Sequence, residues 1–233
     1  MDPLVSMTAK TPVPATVFQD VLRHVADRIL AMDRDRVLRV AVDGLEGSGK
    51  TTFADGLATA LKGLGAPVIR SSMDGFHHPE AVRYRLGRNS PIGYFLDSYD
   101  YVGLRDALLD PLSRGGSGVY RTAVFDYRLD QRVSAPACEA EPDAILLFDG
   151  VFLHCPELRR YWDLSIFLDV NFDVAVARVT ERDPQLGPSN AAATEHRRYV
   201  EGQARYLKEC QPQRDATIVI DNNDAFAPRL LKG

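Results

Sequence analysis

The stretch from Val37 to Gly56, VLRVAVDGLEGSGKTTFADG, constrains this chain more than any other. An apolar run, Val37 to Val42, reads as a buried strand, a glycine-rich turn follows, and Thr52 to Leu61 reads as a helix. The turn carries G-x-x-x-x-G-K-T, with Gly44, Glu46, Gly47, Ser48, Gly49, Lys50, Thr51 and Thr52 as its candidate binding residues. Glycines there let backbone N–H groups turn inward and cradle phosphates at a helix N-terminus, while the lysine reaches the β- and γ-phosphates and the threonine holds Mg²⁺. The expectation is a bound nucleoside triphosphate.

Composition bounds the rest. With 28 Lys+Arg against 32 Asp+Glu, a net charge of −4, the chain has no overall attraction for nucleic acid, so any basic site must be local. The length suits one substantial domain, expected over residues 16–233. Residues 1–15 lack an apolar signal-peptide core and read as a flexible tail, and no run is long enough to span a membrane. Cys138, Cys155 and Cys210 show no metal or disulfide spacing, which suggests free thiols in a reducing cytoplasm.

Apolar residues four apart from Val17 to Ile29 predict an amphipathic helix packed near the first strand. After the phosphate-loop helix, Val68 and Ile69 open a second strand that ends at Asp74, and strand, helix, strand in that order implies a parallel sheet with ligands at its carboxyl ends. Glu80 to Asp100, rich in Arg and Tyr, reads as an irregular segment facing a substrate. A short helix is expected over Leu104 to Leu112, and a small hairpin from Val119–Tyr127 and Gln131–Ser134. Ile145 to Phe148 forms another buried strand, closed by Asp149, a carboxylate placed to meet Mg²⁺ directly or through water. Leu164 to Val170 is a strand and Asp173 to Arg182 a helix with Arg178 and Arg182 one turn apart. The turn-rich residues that follow, bracketed by Arg197 and Arg198, suggest a mobile lid over about 183–198. Thr194 to Cys210 reads as a helix and Ala216 to Ile220 as the last strand.

Taken together, VDGLEGSGKTTF, SSMDGFH, LLFDGVF, the helix with Arg178 and Arg182, and IVIDNND resemble the uridine kinase and phosphoribulokinase family of phosphate-loop kinases, over most of Val37 to Asp224. The resemblance implies a three-layer α/β fold with a mainly parallel sheet and a small lid. It also implies ATP and Mg²⁺ as cofactors and a small-molecule hydroxyl acceptor. By that resemblance Asp74 is the general base, Lys50, Arg178 and Arg182 stabilise the transferred charge, and Thr51, Asp149 and Asp74 are the metal-side groups. His77, Tyr94, Asp97, Tyr99, Asp130 and Arg132 are the acceptor-pocket candidates. Two departures concern the acceptor: Asp149 stands where uridine kinases usually carry Glu, and Asp130 where a pyrimidine-reading His would fall.

A guanine-specifying N-K-x-D is absent. Three readings stay open: a nucleoside kinase, a kinase of a non-nucleoside sugar or vitamin alcohol, and a nucleotide-binding regulator without turnover. A homo-oligomer is compatible with each.

Overall fold

The computed structural model describes residues 16–33, 35–182 and 190–233. Its centre is a six-stranded sheet. In chain order the strands are β1 (Leu38–Gly44), β2 (Val68–Ser72), β3 (Ile145–Gly150), β4 (Leu164–Asp169), β5 (Ile218–Asp221) and β6 (Arg229–Lys232), arranged β6-β5-β4-β1-β3-β2. All neighbours are parallel except β5 and β6. The family's mainly parallel α/β fold is therefore present.

The strands are apolar on both sides because both faces are covered. Leu38, Val40 and Val42 of β1, with Ile145 and Leu147 of β3, meet Leu22, Val25 and Ile29 of helix α1 (Val17–Leu30) and Phe53, Leu57 and Leu61 of α2 (Lys50–Gly63). The alternate residues Ala41, Leu146 and Phe148 face the opposite layer, where they meet Met73, Phe76, Phe152 and Tyr206. Thr16 caps α1, its side chain accepting from the Gln19 N–H.

Several local expectations change. Residues 80–100 are ordered into helices α3 (Glu80–Arg83) and α4 (Pro91–Asp97), because Tyr94 and Phe95 bury themselves against Phe152. The 104–112 segment is helical from Tyr101 but widens into a π-helical turn at Arg105–Leu109. The hairpin shrinks to Phe125–Asp126 against Gln131–Arg132, with a second pair, Val119–Tyr120 against Cys138–Glu139, outside it. The strand at Ile218–Asp221 is not the last, since β6 returns antiparallel along it. The helix after the proposed lid begins earlier than its sequence suggests, at Asn190, and forms α6 (Asn190–Cys210). The tail, residues 1–15, and the lid residues 183–189 lie outside the described residues.

One ion cluster pins the amino ends of β1 and β4 together. The Asp163 carboxylate accepts from the Arg36 guanidinium at 2.9 and 3.0 Å, from the Arg39 N–H at 2.8 Å and from Arg39 Nε at 3.3 Å. Burial pushes its pKa up, but the hydrogen bonds from Arg36 and Arg39 outweigh that and leave it below the ordinary carboxylate value. The stability this supplies is complete above the unfolded carboxyl pKa and is lost as pH falls through the lower folded one. Asp163→Ala should destabilise the protein by about 3 kcal/mol at neutral pH. In urea unfolding, the gap to wild type should narrow as the solution is acidified; an equal gap at all pH values would contradict this.

Candidate active site

The sheet's register sets the site. Val42 lies beside Asp149, and Asp149 beside Ser72, so the carboxyl ends of β1, β3 and β2 open on one cleft of about 810 Å³. Beyond Gly44 the loop can only turn with glycine. Gly47 and Gly49 have φ of +80° and +89°, and a Cβ on Gly47 would sit 2.2 Å from the Ala175 carbonyl oxygen.

The base of the loop is anchored by a carboxylate with no exposed surface. Asp43 accepts from the Gly44 N–H at 2.7 Å, from the Tyr206 hydroxyl, and from His154 Nδ1 at 2.6 Å when that nitrogen carries the proton. His154 Nε2 then accepts from the Ser165 hydroxyl at 3.0 Å. Tyr206 lies on α6, and a residue of the same helix, Gln203, accepts the Glu46 N–H at 2.5 Å. From the other side Asn222 Nδ2 donates to the Ser48 carbonyl at 2.7 Å.

Lys50 donates from Nζ to the Leu45 carbonyl at 2.7 Å. Burial lowers its pKa, and the charges of Glu46, Asp43, Asp149 and Asp74 oppose that lowering. Asp149, 2% exposed, accepts from the Thr51 hydroxyl at 2.7 Å and from Arg70 at 2.9 Å. Asp74 is exposed in the cleft, on the short turn Met73–Phe76, its N–H donating to Ser72 Oγ at 3.3 Å. No group of three or more His, Cys, Asp or Glu able to hold a metal occurs among the described residues. A hydroxyl and a carboxylate oxygen in contact at the mouth of a phosphate cradle suit Mg²⁺, which takes few protein oxygens and completes its shell with phosphate and water.

The far wall is aromatic. The His77 ring lies 4.6 Å from both Tyr99 and Tyr127, and Tyr94 lies 4.8 Å from Tyr199. Burial lowers the His77 pKa against the pull of Asp74 and raises those of Tyr94 and Tyr99 well above the ordinary phenol value. All three shifts favour the neutral side chain.

The structure thus brings Glu46, Gly47, Gly49, Lys50, Thr51, Thr52, Asp74, Asp149, Arg182, His77, Tyr94 and Tyr99 to one cleft. Gly44 and Ser48 shape the loop from beneath, Ser48 being buried. Four expected residues are elsewhere. Arg178 donates to the Asn222 and Asn223 carbonyls at 3.0 and 2.9 Å, bracing the loop that supports Ser48. Asp97 is buried in a two-bond pair with Arg85. Asp130 accepts from the Glu80 N–H at 2.8 Å and from Arg83 at 3.0 Å. Arg132 is exposed on the hairpin. A place in a sequence pattern does not show where a side chain finds a partner. Arg83 and Tyr84, from the Arg- and Tyr-rich segment expected to face a substrate, also line the cleft, together with Tyr199 of α6, which no sequence spacing links to them.

Comparison with known proteins agrees with this architecture. Residues 39–222 match the model of the phosphoribulokinase / uridine kinase family. A uridine kinase of Bacillus mycoides (strain KBAB4) is 23% identical over 157 residues, covering 65% of this chain and 69% of that protein. A solved structure described as a possible uridine kinase from Bacillus stearothermophilus superposes with a TM-score of 0.69 at 24% identity, over 86% of this chain and 97% of the other. The phosphoribulokinase of Rhodobacter spheroides superposes with a TM-score of 0.57 at 16% identity, over 81% and 71% of the two chains.

Replacing Lys50 with Ala should weaken Mg²⁺–ATP binding by about tenfold or more, a loss of roughly 1.4 kcal/mol. In wild type the affinity should begin to fall with rising pH earlier than an ordinary lysine would dictate, because burial holds the Lys50 pKa down. Calorimetric titration across pH checks both, and a wild-type-like affinity for the alanine variant would remove Lys50 from the phosphate site.

Proposed function

The chain belongs to the phosphoribulokinase / uridine kinase family, and on that premise we propose that it transfers the γ-phosphoryl group of ATP to a hydroxyl of a nucleoside or related small metabolite. The observation that carries the reading is the position of Asp74. Its carboxylate stands in the same cleft as Lys50, Thr51 and Asp149, with no side-chain partner among the described residues.

Phosphoryl transfer asks the protein for alignment and charge stabilisation more than for covalent chemistry. Backbone N–H groups of Gly47 to Thr51 and the Lys50 ammonium hold the phosphates at the start of α2. Thr51 and Asp149 would hold Mg²⁺, which supplies charge neutralisation on the β- and γ-phosphate oxygens. Arg70 keeps the Asp149 carboxylate turned toward Thr51. Asp74 accepts the proton of the acceptor hydroxyl as its oxygen attacks, and His77, Tyr94 and Tyr99 hold the acceptor against the aromatic wall. Arg182, 3.6 Å from Glu46, approaches from α5 (Phe172–Arg182) as a cation for the transferred charge.

Asp130 favours a second reading for the acceptor. The position where a base-reading His would fall is tied to Arg83 and Glu80 and does not line the cleft, which supports a non-nucleoside sugar or vitamin alcohol. A cytoplasmic location accompanies either acceptor, in keeping with three free thiols.

Mixing the protein with Mg²⁺–ATP and a panel of nucleosides, sugars and hydroxylated metabolites should reveal an acceptor by ADP release. No acceptor-stimulated release, with ATP still bound, would favour a regulator instead. Asp74→Asn should leave ATP affinity largely intact and lower turnover roughly 10²–10⁴-fold. Normal turnover would remove Asp74 from the chemistry.

A further inference from the structure

Arg198 is a buried cation in the cleft that pairs with no anion among the described residues. It is 3% exposed, lies on α6 and lines the cleft. Its guanidinium carbon sits 4.9 Å from the centroid of the Tyr84 ring and 5.4 Å from those of Tyr94 and Tyr199. Its Nε is buried with no hydrogen-bond partner, and among the described residues no carboxylate pairs with it. The other arginines of the cleft all find an oxygen: Arg83 meets Asp130 at 3.0 Å, Arg182 meets Glu46 at 3.6 Å, and Arg128 donates to the Tyr127 hydroxyl at 3.4 Å.

Three tyrosine rings return part of the cost of desolvating a guanidinium, because a cation is attracted to the face of a ring. They cannot accept its N–H bonds in the plane of the fork, which is where a carboxylate or phosphate binds with two oxygens. The rings also fix the side of the cleft. Tyr84 and Tyr94 belong to the α3–α4 segment, and Tyr94 packs on the same Phe152 as Tyr99, whose ring meets His77. The phosphate cradle of the nucleotide is built instead from Gly47 to Thr51.

We propose that Arg198 is a specificity residue for the acceptor, and that the molecule phosphorylated here carries its own anionic group, a carboxylate or a phosphate, which pairs with this guanidinium. The inference rests on the kinase reading above and narrows it. An uncharged acceptor would leave the cation buried with no anion among the described residues, whereas an anionic one satisfies its charge and its hydrogen-bond donors together.

The test separates the acceptor side from the nucleotide side. Protein saturated with Mg²⁺ and the non-hydrolysable analogue AMP-PNP is titrated calorimetrically with glycerol 3-phosphate, D-glycerate and glycerol. These probes share a hydroxylated three-carbon frame and differ in charge. Wild type should bind at least one of the two anions about tenfold more tightly than glycerol, and the tighter anion identifies the group. Arg198→Gln should abolish that preference and Arg198→Lys should keep part of it, with AMP-PNP affinity within about twofold of wild type in both. No preference in wild type, a preference that survives in Arg198→Gln, or a loss of AMP-PNP affinity matching the loss of anion affinity would each overturn the assignment. Failure of the kinase reading itself appears separately, as absence of acceptor-stimulated ADP release.

Discussion

A carboxylate without exposed surface is tolerated only when its oxygens are filled, and Asp43 at the end of β1 meets that condition with groups from three places in the chain. The Gly44 N–H, the Tyr206 hydroxyl and the His154 ring converge on it, and Ser165 on β4 supports the histidine. The consequence is mechanical. The point where strand becomes phosphate loop is tied at once to the loop after β3, to the neighbouring strand and to α6. A helix that carries Gln203, Arg198 and Tyr199 is therefore positioned by the same group that positions Gly44.

Everything on the nucleotide side is built in this over-determined way. Arg70 holds Asp149 against Thr51, and Asn222 holds the Ser48 carbonyl. Arg178 in turn holds the loop that carries Asn222. Oriented N–H groups and carboxylates that need no rearrangement on binding are what stabilisation of a highly charged transition state requires. The proposed acceptor side is different in kind. The rings of Tyr94, Tyr99, Tyr127 and His77 form its wall, and polarity is concentrated in Asp74 and the arginines. Such a wall selects by shape and by a few charges, so a shared fold accommodates different acceptors within one family.

The nucleotide half was legible because it is local. The phosphate-binding pattern, the apolar run before Asp149 and the strand ending at Asp74 each lie in a few consecutive residues whose backbone geometry follows from residue type. The acceptor half was legible in composition but not in partnership. Asp97 and Asp130 had the right neighbours in sequence, yet the guanidinium groups of Arg85 and Arg83 pair with them, and that pairing is decided by packing. Arg178 was rightly placed one turn from Arg182, but only Arg182 reaches the cleft.

By itself the sequence determined a triphosphate-binding loop between a buried strand and a helix, a parallel α/β sheet around it, and acidic residues at two further strand ends. These follow from glycine's freedom at positive φ, from two-sided apolar strands and from the direction of parallel connections. Only the tertiary structure decided that Asp43 is the buried anchor, that Arg198 comes to rest on three tyrosines with no carboxylate partner among the described residues, and that Arg178 braces instead of reaching inward. The first two outcomes depend on which side chains meet across more than a hundred residues of chain, from Asp43 to Tyr206 or from Tyr84 to Arg198, and the third on a meeting across 44. Pairings of that range are set by packing, which no local pattern encodes.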